Sequence, residues 1–304
     1  MANWNDMPIE IKMMIIEQMK FETRTKLKWC SNWDRLLVNR FPMKLEYVCL
    51  HNYSHDEWTF VSSEDGTVLS IGKDAENQLK IQMFESTKTI SYSTEEEAER
   101  IVDSYNTSIM FMLFNCPSVE IKYFQTSMLF PPELLASTNR PRCEEMEMKS
   151  PDILNWLRHF DIKMLEAFEC CFDNGKIVDP EFMAMAMGYK EFITEAASNI
   201  DDNMLLNFTG SFLAIGKTIV TSNGVNLFIK QVIGRGNVNF SGFSFKLDKA
   251  LWNIILDGID CTLERAEDGD VMFKHVTAEG QDWFIEYDDN NTFELSNDID
   301  GKFN

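Results

Sequence analysis

Histidine is scarce in this sequence, with four in 304 residues, and basic residues are outnumbered, 28 Lys and Arg against 49 Asp and Glu. No His-Glu-x-x-His occurs and no Gly-x-Ser-x-Gly, so neither the helical zinc-hydrolase signature nor the nucleophile elbow is available. The seven cysteines (Cys30, Cys49, Cys116, Cys143, Cys170, Cys171 and Cys261) are an odd, scattered set without Cys-x-x-Cys spacing. They read as free thiols of a reducing compartment, not as a disulfide framework or a metal site. No run reaches the roughly 18 consecutive apolar residues of a membrane-spanning helix, so no membrane partner is expected. The opening residues lack the basic start and apolar run of a signal peptide, and the cytosol or nucleus is the expected location. Without secretion, the Asn-x-Ser/Thr triplets at Asn52, Asn106, Asn207 and Asn290 carry no meaning as glycosylation sites.

What is present is a globular composition, 44% hydrophobic, with room for two domains or one elongated one. The net charge of −21 is unevenly spread. Residues 1–44 hold eight Lys and Arg against five Asp and Glu, a surplus of three, and the remainder holds 20 against 44. An acidic body of that size repels a phosphate backbone, which argues against nucleic acid as a partner. The change of sign near residue 44 marks a domain boundary.

The first 44 residues predict three short helices. Asp6 and Pro8 open the first as cap and early helical proline. Ile9, Ile11, Met13, Met14, Ile15, Ile16 and Met19 then spread around most of a helical wheel, leaving a polar stripe at Glu10, Lys12, Glu17 and Gln18. A helix apolar almost all round needs cover on two sides, and forty residues bury too little surface to supply both. Either the rest of the chain or a partner must cover it. The second helix is expected over residues 23–29 and the third over 32–38, with Trp33, Leu36 and Leu37 as one face.

Residues 45–117 read as a β-rich segment. Strand-like runs at 45–50, 58–61, 67–71, 79–84 and 89–92 are separated by turn signals, notably Glu64-Asp65-Gly66 and Gly72-Lys73-Asp74. A β-meander follows from that pattern, and Thr94 then caps a helix running to about Ser104. From residue 118 to 258 a repeat emerges. Strand-like runs at 119–124, 144–149, 165–171, 191–196, 212–217 and 241–247 alternate with helix-like segments at 131–136, 151–160, 180–187, 201–208, 222–233 and 248–256. A strand and helix every 20–29 residues is the period of leucine-rich-repeat-like solenoids, although the strict Leu-x-x-Leu-x-Leu pattern is absent. Residues 259–304 predict a terminal β-hairpin, 271–275 and 283–287, with a further run at 292–295. The fold class expected is therefore α+β.

Several features invite a chemical reading and fail it. Gly210 to Thr218 resembles a phosphate loop, but five residues separate the glycines where four are required, and Phe212, Leu213 and Ile215 put apolar bulk where amides should cradle phosphate. His51, His55 and Asp56 lie in one turn without a third His or Cys at ligand spacing, so they read as surface residues. His159 and His275 stand alone. The acidic pairs Asp201-Asp202 and Asp288-Asp289 read as solvated turns, and Met183, Met185 and Met187 as core filler. No catalytic residue, metal or cofactor is expected.

The opening Trp4-Asn5-Asp6-Met7-Pro8-Ile9-Glu10-Ile11, with Ile15-Ile16, the stretch Met19 to Arg24, Leu27-Lys28-Trp29-Cys30-Ser31 and Arg35-Leu36-Leu37-Val38, resembles the F-box in its nematode form. Met7 stands where the family has leucine, and the stretch between Met19 and Cys30 is one residue shorter than in the family. Leu213 to Val220, Ser222 to Lys230 and Ile254 to Ile259 are similar to the F-box-associated region, whose Asn-x-Phe-x-Lys pattern matches Asn226, Phe228 and Lys230, followed by Gly234 and Gly236. The tryptophan after the lysine and a basic-Asp-Gly turn are missing. The resemblance implies a non-enzymatic subunit of a Skp–cullin–F-box ubiquitin ligase. Trp4, Met7, Pro8, Ile9, Ile11, Met14, Ile15, Met19, Leu27 and Trp33 would bind the Skp-type adaptor, and the acidic body would hold a protein substrate. The surplus of acids itself has two readings, solubility alone or recognition of a basic segment of that substrate. The rival reading is a protein-interaction scaffold outside any ligase, its helical lead-in capping a solenoid.

Overall fold

Short apolar runs with few prolines in their interiors favour many brief elements, and the computed structural model builds them from both helices and strands. It describes residues 4–52, 59–150, 152–170, 176–177, 180–194, 197–234, 242–246, 251–267, 270–278, 280–287 and 292–297. The chain divides into two compact units, Met1–Leu165 and Glu166–Asn304.

The first unit opens with a 3-10 turn, Trp4–Asp6, and three helices: α1 (Ile9–Gln18), α2 (Phe21–Cys30) and α3 (Asn32–Val38). Asp6 does not cap α1. Pro8 occupies the cap position, without a side-chain hydrogen bond, and Asp6 closes the preceding 3-10 turn. Ser31 caps α3 by accepting from the Asp34 amide at 3.0 Å. Ile16, Leu37 and Val38 are the buried centre of this module, and Trp4, Ile9, Met19, Leu27 and Phe41 pack around them.

Five strands follow: β1 (Met43–Leu50), β2 (Thr59–Ser63), β3 (Gly66–Ala75), β4 (Gln78–Met83) and β5 (Ser86–Ser91). They pair antiparallel in chain order, as a meander does. Gly66 turns the β2–β3 hairpin at φ +118°, a conformation open to glycine. Gly72-Lys73-Asp74 is not a turn. It lies within β3, where a register shift between Lys73 and Ala75 absorbs the extra residue, and Asn77 makes the turn at φ 59°. Phe84, expected at a strand end, is itself in a turn at φ 53°. Helix α4 (Glu95–Asn115) runs well past Ser104, because Ile109, Met110, Leu113 and Phe114 continue a buried stripe. Thr94 caps it, accepting from Glu97 at 3.2 Å, while the Glu97 carboxylate accepts from the Ser93 amide at 2.8 Å.

Strands β6 (Val119–Thr126) and β7 (Arg142–Met148) extend the sheet in the order β7-β6-β1-β2-β3-β4-β5, with β7, β6 and β1 parallel. The segment expected as a helix over 131–136 is a 3-10 turn, Pro132–Leu134, and α5 (Ile153–His159) follows β7. Phe114, Phe130, Trp156 and Phe160 meet in edge-to-face pairs, and Phe124 packs at a tilt on Trp156 and Phe160.

In the second unit, β8 (Ala167–Cys170), β9 (Lys176–Ile177), α6 (Pro180–Ala186), β10 (Glu191–Thr194), β11 (Ala197–Ser198), α7 (Asp202–Leu206), β12 (Phe212–Lys217), α8 (Ser222–Gly234) and β13 (Gly242–Lys246) alternate. The strands β8, β10, β12 and β13 are parallel neighbours, and β9 pairs with β11. Asp201 caps α7 through Met204 at 2.8 Å. The helix α9 (Trp252–Ile255) is shorter than expected over 248–256, part of which lies outside the described residues.

The C-terminal part is more than a hairpin. β14 (Thr262–Glu267), β15 (Asp270–Val276), β16 (Asp282–Tyr287) and β17 (Thr292–Asn297) are antiparallel neighbours, and β17 pairs antiparallel with β13. The charged Thr-Leu-Glu-Arg-Ala-Glu run hid β14, since its cross-strand partners rather than its own apolarity make it a strand. The fold is a mixed α+β arrangement with mixed parallel and antiparallel pairing.

Candidate functional site

An apolar helix with cover on one side leaves its other side to water or to a partner, and α1 is such a helix. Ile16 is completely buried against α3, whereas Ile11 and Met14 are 43% and 63% exposed. Pro8, Ile11 and Met14 lie three residues apart and form an outward stripe, with Met7 and Ile15 half-buried beside it. On α3, Leu37 points inward while Trp33 and Leu36 are 53% and 60% exposed. The three do not share one face, because Leu37 is turned about 100° from Leu36. Trp29, at the end of α2, is the most exposed of the large apolar side chains described, at 74%.

The ten residues expected at an adaptor interface thus fall into three groups. Pro8, Ile11, Met14 and Trp33 face outward, and Met7 and Ile15 lie between. Trp4, Ile9, Met19 and Leu27 pack against the module's own centre. Trp4 donates its indole N–H to Asp34, and Lys12 is buried with its ammonium 5.6 Å from the Trp4 ring centroid. Lys12 therefore does not belong to a solvated stripe. Its ammonium lies over the tryptophan ring and reaches the Asn5 carbonyl at 3.4 Å. Trp29 and Leu36 were missed as exposed residues; for Trp29 the signal was its place beside Glu22, Thr25 and Lys26 on the second helix.

A cleft of about 460 Å³ separates α1 and α2 from the β2–β3 turn, lined in part by Lys20, Arg24, Lys44, Glu64 and Asp65. Its guanidinium is already committed, since Arg24 donates to the carbonyls of Met19 and Glu17 at 2.9 and 2.7 Å. Asp65 accepts from the Phe21 amide at 2.8 Å, so these two charges serve the cleft's own walls.

His51 is not a surface residue; it is 5% exposed, directly after the buried end of β1. Its Nε2 lies 2.7 Å from the Cys49 thiol, and its carbonyl accepts from the Asn106 amide at 2.8 Å. Asn106 is fully buried and also accepts from the Thr59 hydroxyl at 2.6 Å. This network joins α4 to the sheet. His55 and Asp56 lie outside the described residues. Among the described residues no group of three His, Cys, Asp or Glu side chains is placed to hold a metal ion, and no helix is long and apolar enough to cross a membrane.

The 210–218 segment contributes the buried Leu213 and Ile215 of β12. Gly210 is required by packing, since a Cβ there would stand 2.3 Å from the Tyr189 carbonyl. His159 stacks on Phe130 at 4.2 Å and meets the carbonyls of Asn155 and Leu135. Asn226 and Phe228 are core residues. The Asn226 amide donates to the carbonyls of Ile255 and Asp257 at 2.8 and 2.9 Å, and Phe228 packs edge-on to Phe243. Lys230 is exposed, and Gly236 lies outside the described residues.

Compared with models of protein families, with curated proteins and with solved structures, the chain matches none.

Proposed function

We propose that this chain is a non-catalytic substrate-recognition subunit of a Skp–cullin–F-box ubiquitin ligase, working in the cytosol or nucleus. Residues 1–44 act as the F-box and dock the Skp-type adaptor. The acidic body holds a protein substrate near the ubiquitin-loaded enzyme, and its contribution is effective concentration rather than bond chemistry. The observation that carries this reading is the one-sided cover of the helical module. Ile11, Met14, Trp29, Trp33 and Leu36 stay exposed although the module has a buried centre of its own. Ile11 and Met14 lie one turn apart on α1, and Trp33 and Leu36 one turn apart on α3, which is how a helical docking surface presents its apolar side chains.

The finer architecture belongs to the same proposal: a β-rich segment at 45–117, leucine-rich-repeat-like units at 118–258 and a terminal cap at 259–304. Support comes from the burial pattern of the parallel strands. Leu45, Val48 and Leu50 are buried at spacings of three and two, and so are Ile121, Phe124 and Thr126, then Cys143, Met146 and Met148. The pattern continues in Leu165, Phe168 and Cys170, and in Tyr189, Phe192 and Thr194. That spacing is the Leu-x-x-Leu-x-Leu pattern with other apolar or small residues in the leucine positions.

The test is co-purification with the Skp-type adaptor. Ile11→Ser with Met14→Ser changes exposed side chains only, and each aliphatic side chain buried at an interface is worth roughly 1.5–3 kcal/mol. The double variant should bind the adaptor at least about tenfold more weakly while melting like the parent. Equal binding, or no adaptor binding by the parent, leaves the scaffold reading in its place.

A further inference from the structure

The parallel strands of the first unit have an outward face as well as a buried one. Across it, Tyr47 of β1 is the register partner of Tyr123 of β6, and Tyr123 is the partner of Glu145 of β7. The two tyrosine rings stack with centroids 4.7 Å apart and planes 14° from parallel, and Phe60 of β2 leans on Tyr47 at 6.1 Å. All three rings are half-buried. They floor an open trough of about 500 Å³ whose rim carries Glu46, Lys122 and Glu145.

The charges on that rim are not equivalent. Lys122 faces Glu46 at 3.5 Å and is balanced by it. Glu145 is exposed and makes no ion pair among the described residues. The Tyr123 hydroxyl donates to Glu147, which holds its ring in place. Burial first, then the neighbouring Cys49 and Glu147, raise the pKa of Tyr47 above its ordinary value, so at neutral pH the phenol is uncharged, as an ordinary tyrosine also is. Stacked aromatic faces beside an uncompensated carboxylate favour a planar cation, whose hydrocarbon stem can also cover the rings. Beyond residue 44 the chain holds 44 acidic against 20 basic residues, so the long-range field favours the same sign.

We infer that this trough receives an arginine side chain from an extended basic segment of the substrate protein, its guanidinium between the Tyr123 ring and the Glu145 carboxylate. The inference rests on reading the acidic body as the substrate-holding part, and it names the substrate's chemistry and the place where it is read.

The experiment uses the full chain without any adaptor and a fluorescein-labelled peptide of alternating arginine and serine, with affinity read by anisotropy at physiological salt. Tyr123→Leu and Glu145→Gln should each weaken binding about fivefold. Tyr123→Phe, which keeps the ring, should bind within about twofold of the parent. Glu99→Gln, the same charge change at an exposed acid of α4, should leave affinity unchanged. Thermal melting establishes that each variant is folded, and Glu145→Gln carries the test if Tyr123→Leu is not. No binding by the parent, parental binding by both trough variants, or an equal loss in Glu99→Gln overturns the inference. Because no adaptor is present, failure here leaves adaptor docking to its own co-purification.

Discussion

The indole N–H of Trp4 donates to Asp34 Oδ1 at 2.8 Å across thirty residues of chain. Asp34 is 6% exposed, and its second oxygen accepts from the Ser31 hydroxyl at 2.7 Å. One carboxylate therefore ties the entry turn to the cap of α3. Asp34→Ala should cost about 1–3 kcal/mol, since it strands a half-buried indole N–H and weakens the cap. Trp4→Phe should cost less, and adding it to Asp34→Ala should change little, because both remove the same bond. Urea unfolding of the four proteins checks this, and strictly additive losses would mean that the bond does not contribute.

Leu37 and Trp33 sit one turn apart on α3 with opposite fates. Leu37→Ala should destabilise the protein by about 2–5 kcal/mol, because the side chain is 1% exposed within the Ile16–Val38 cluster. Trp33→Ala should stay within about 0.5 kcal/mol of the parent, since the larger side chain is 53% exposed. Denaturant midpoints decide it, and a reversed order would contradict the direction in which α3 faces.

Asn106 donates its side-chain amide to the His51 carbonyl and also receives the Thr59 hydroxyl. Asn106→Ala should cost about 1–3 kcal/mol for each partner left unsatisfied in the buried interior. Asn106→Leu, which keeps volume but offers no polar atom, should not restore the loss. Melting curves of the two variants distinguish a hydrogen-bonding role from a space-filling one.

Burial pushes the Cys170 thiol from an ordinary 9.0 up to about 12, and moves Cys143 in the same direction. A pKa raised on folding means that the native state holds the proton more tightly than the unfolded chain does. The stabilisation is complete below pH 9 and is lost as the pH climbs toward 12. The slope of unfolding free energy against pH should therefore be negative above pH 9, and shallower in Cys170→Ala. At pH 8 an alkylating reagent should modify the exposed Cys30 long before either buried thiol.

The sequence alone determined the local elements. The span of α3, the cap at Thr94 and the turn at Gly66 were legible because each depends on a few neighbouring side chains acting on nearby backbone. The alternation of strand and helix beyond residue 118 was legible for the same reason, although its burial pattern at spacings of three and two was not, since Thr126, Cys143, Thr194 and methionines stand where leucine was sought. What composition could not say is which side of an element is covered. Lys12 is buried because a tryptophan eight residues earlier lies over it, and Trp33 is exposed because Leu37 already fills the space between α1 and α3. β14 is a strand because β15 offers it partners, and α4 continues past Ser104 because the sheet accepts its apolar stripe. The pairing of Tyr47, Tyr123 and Glu145 comes from the register of three strands drawn from distant parts of the chain. Those are relations between surfaces, and only the packed chain decides them.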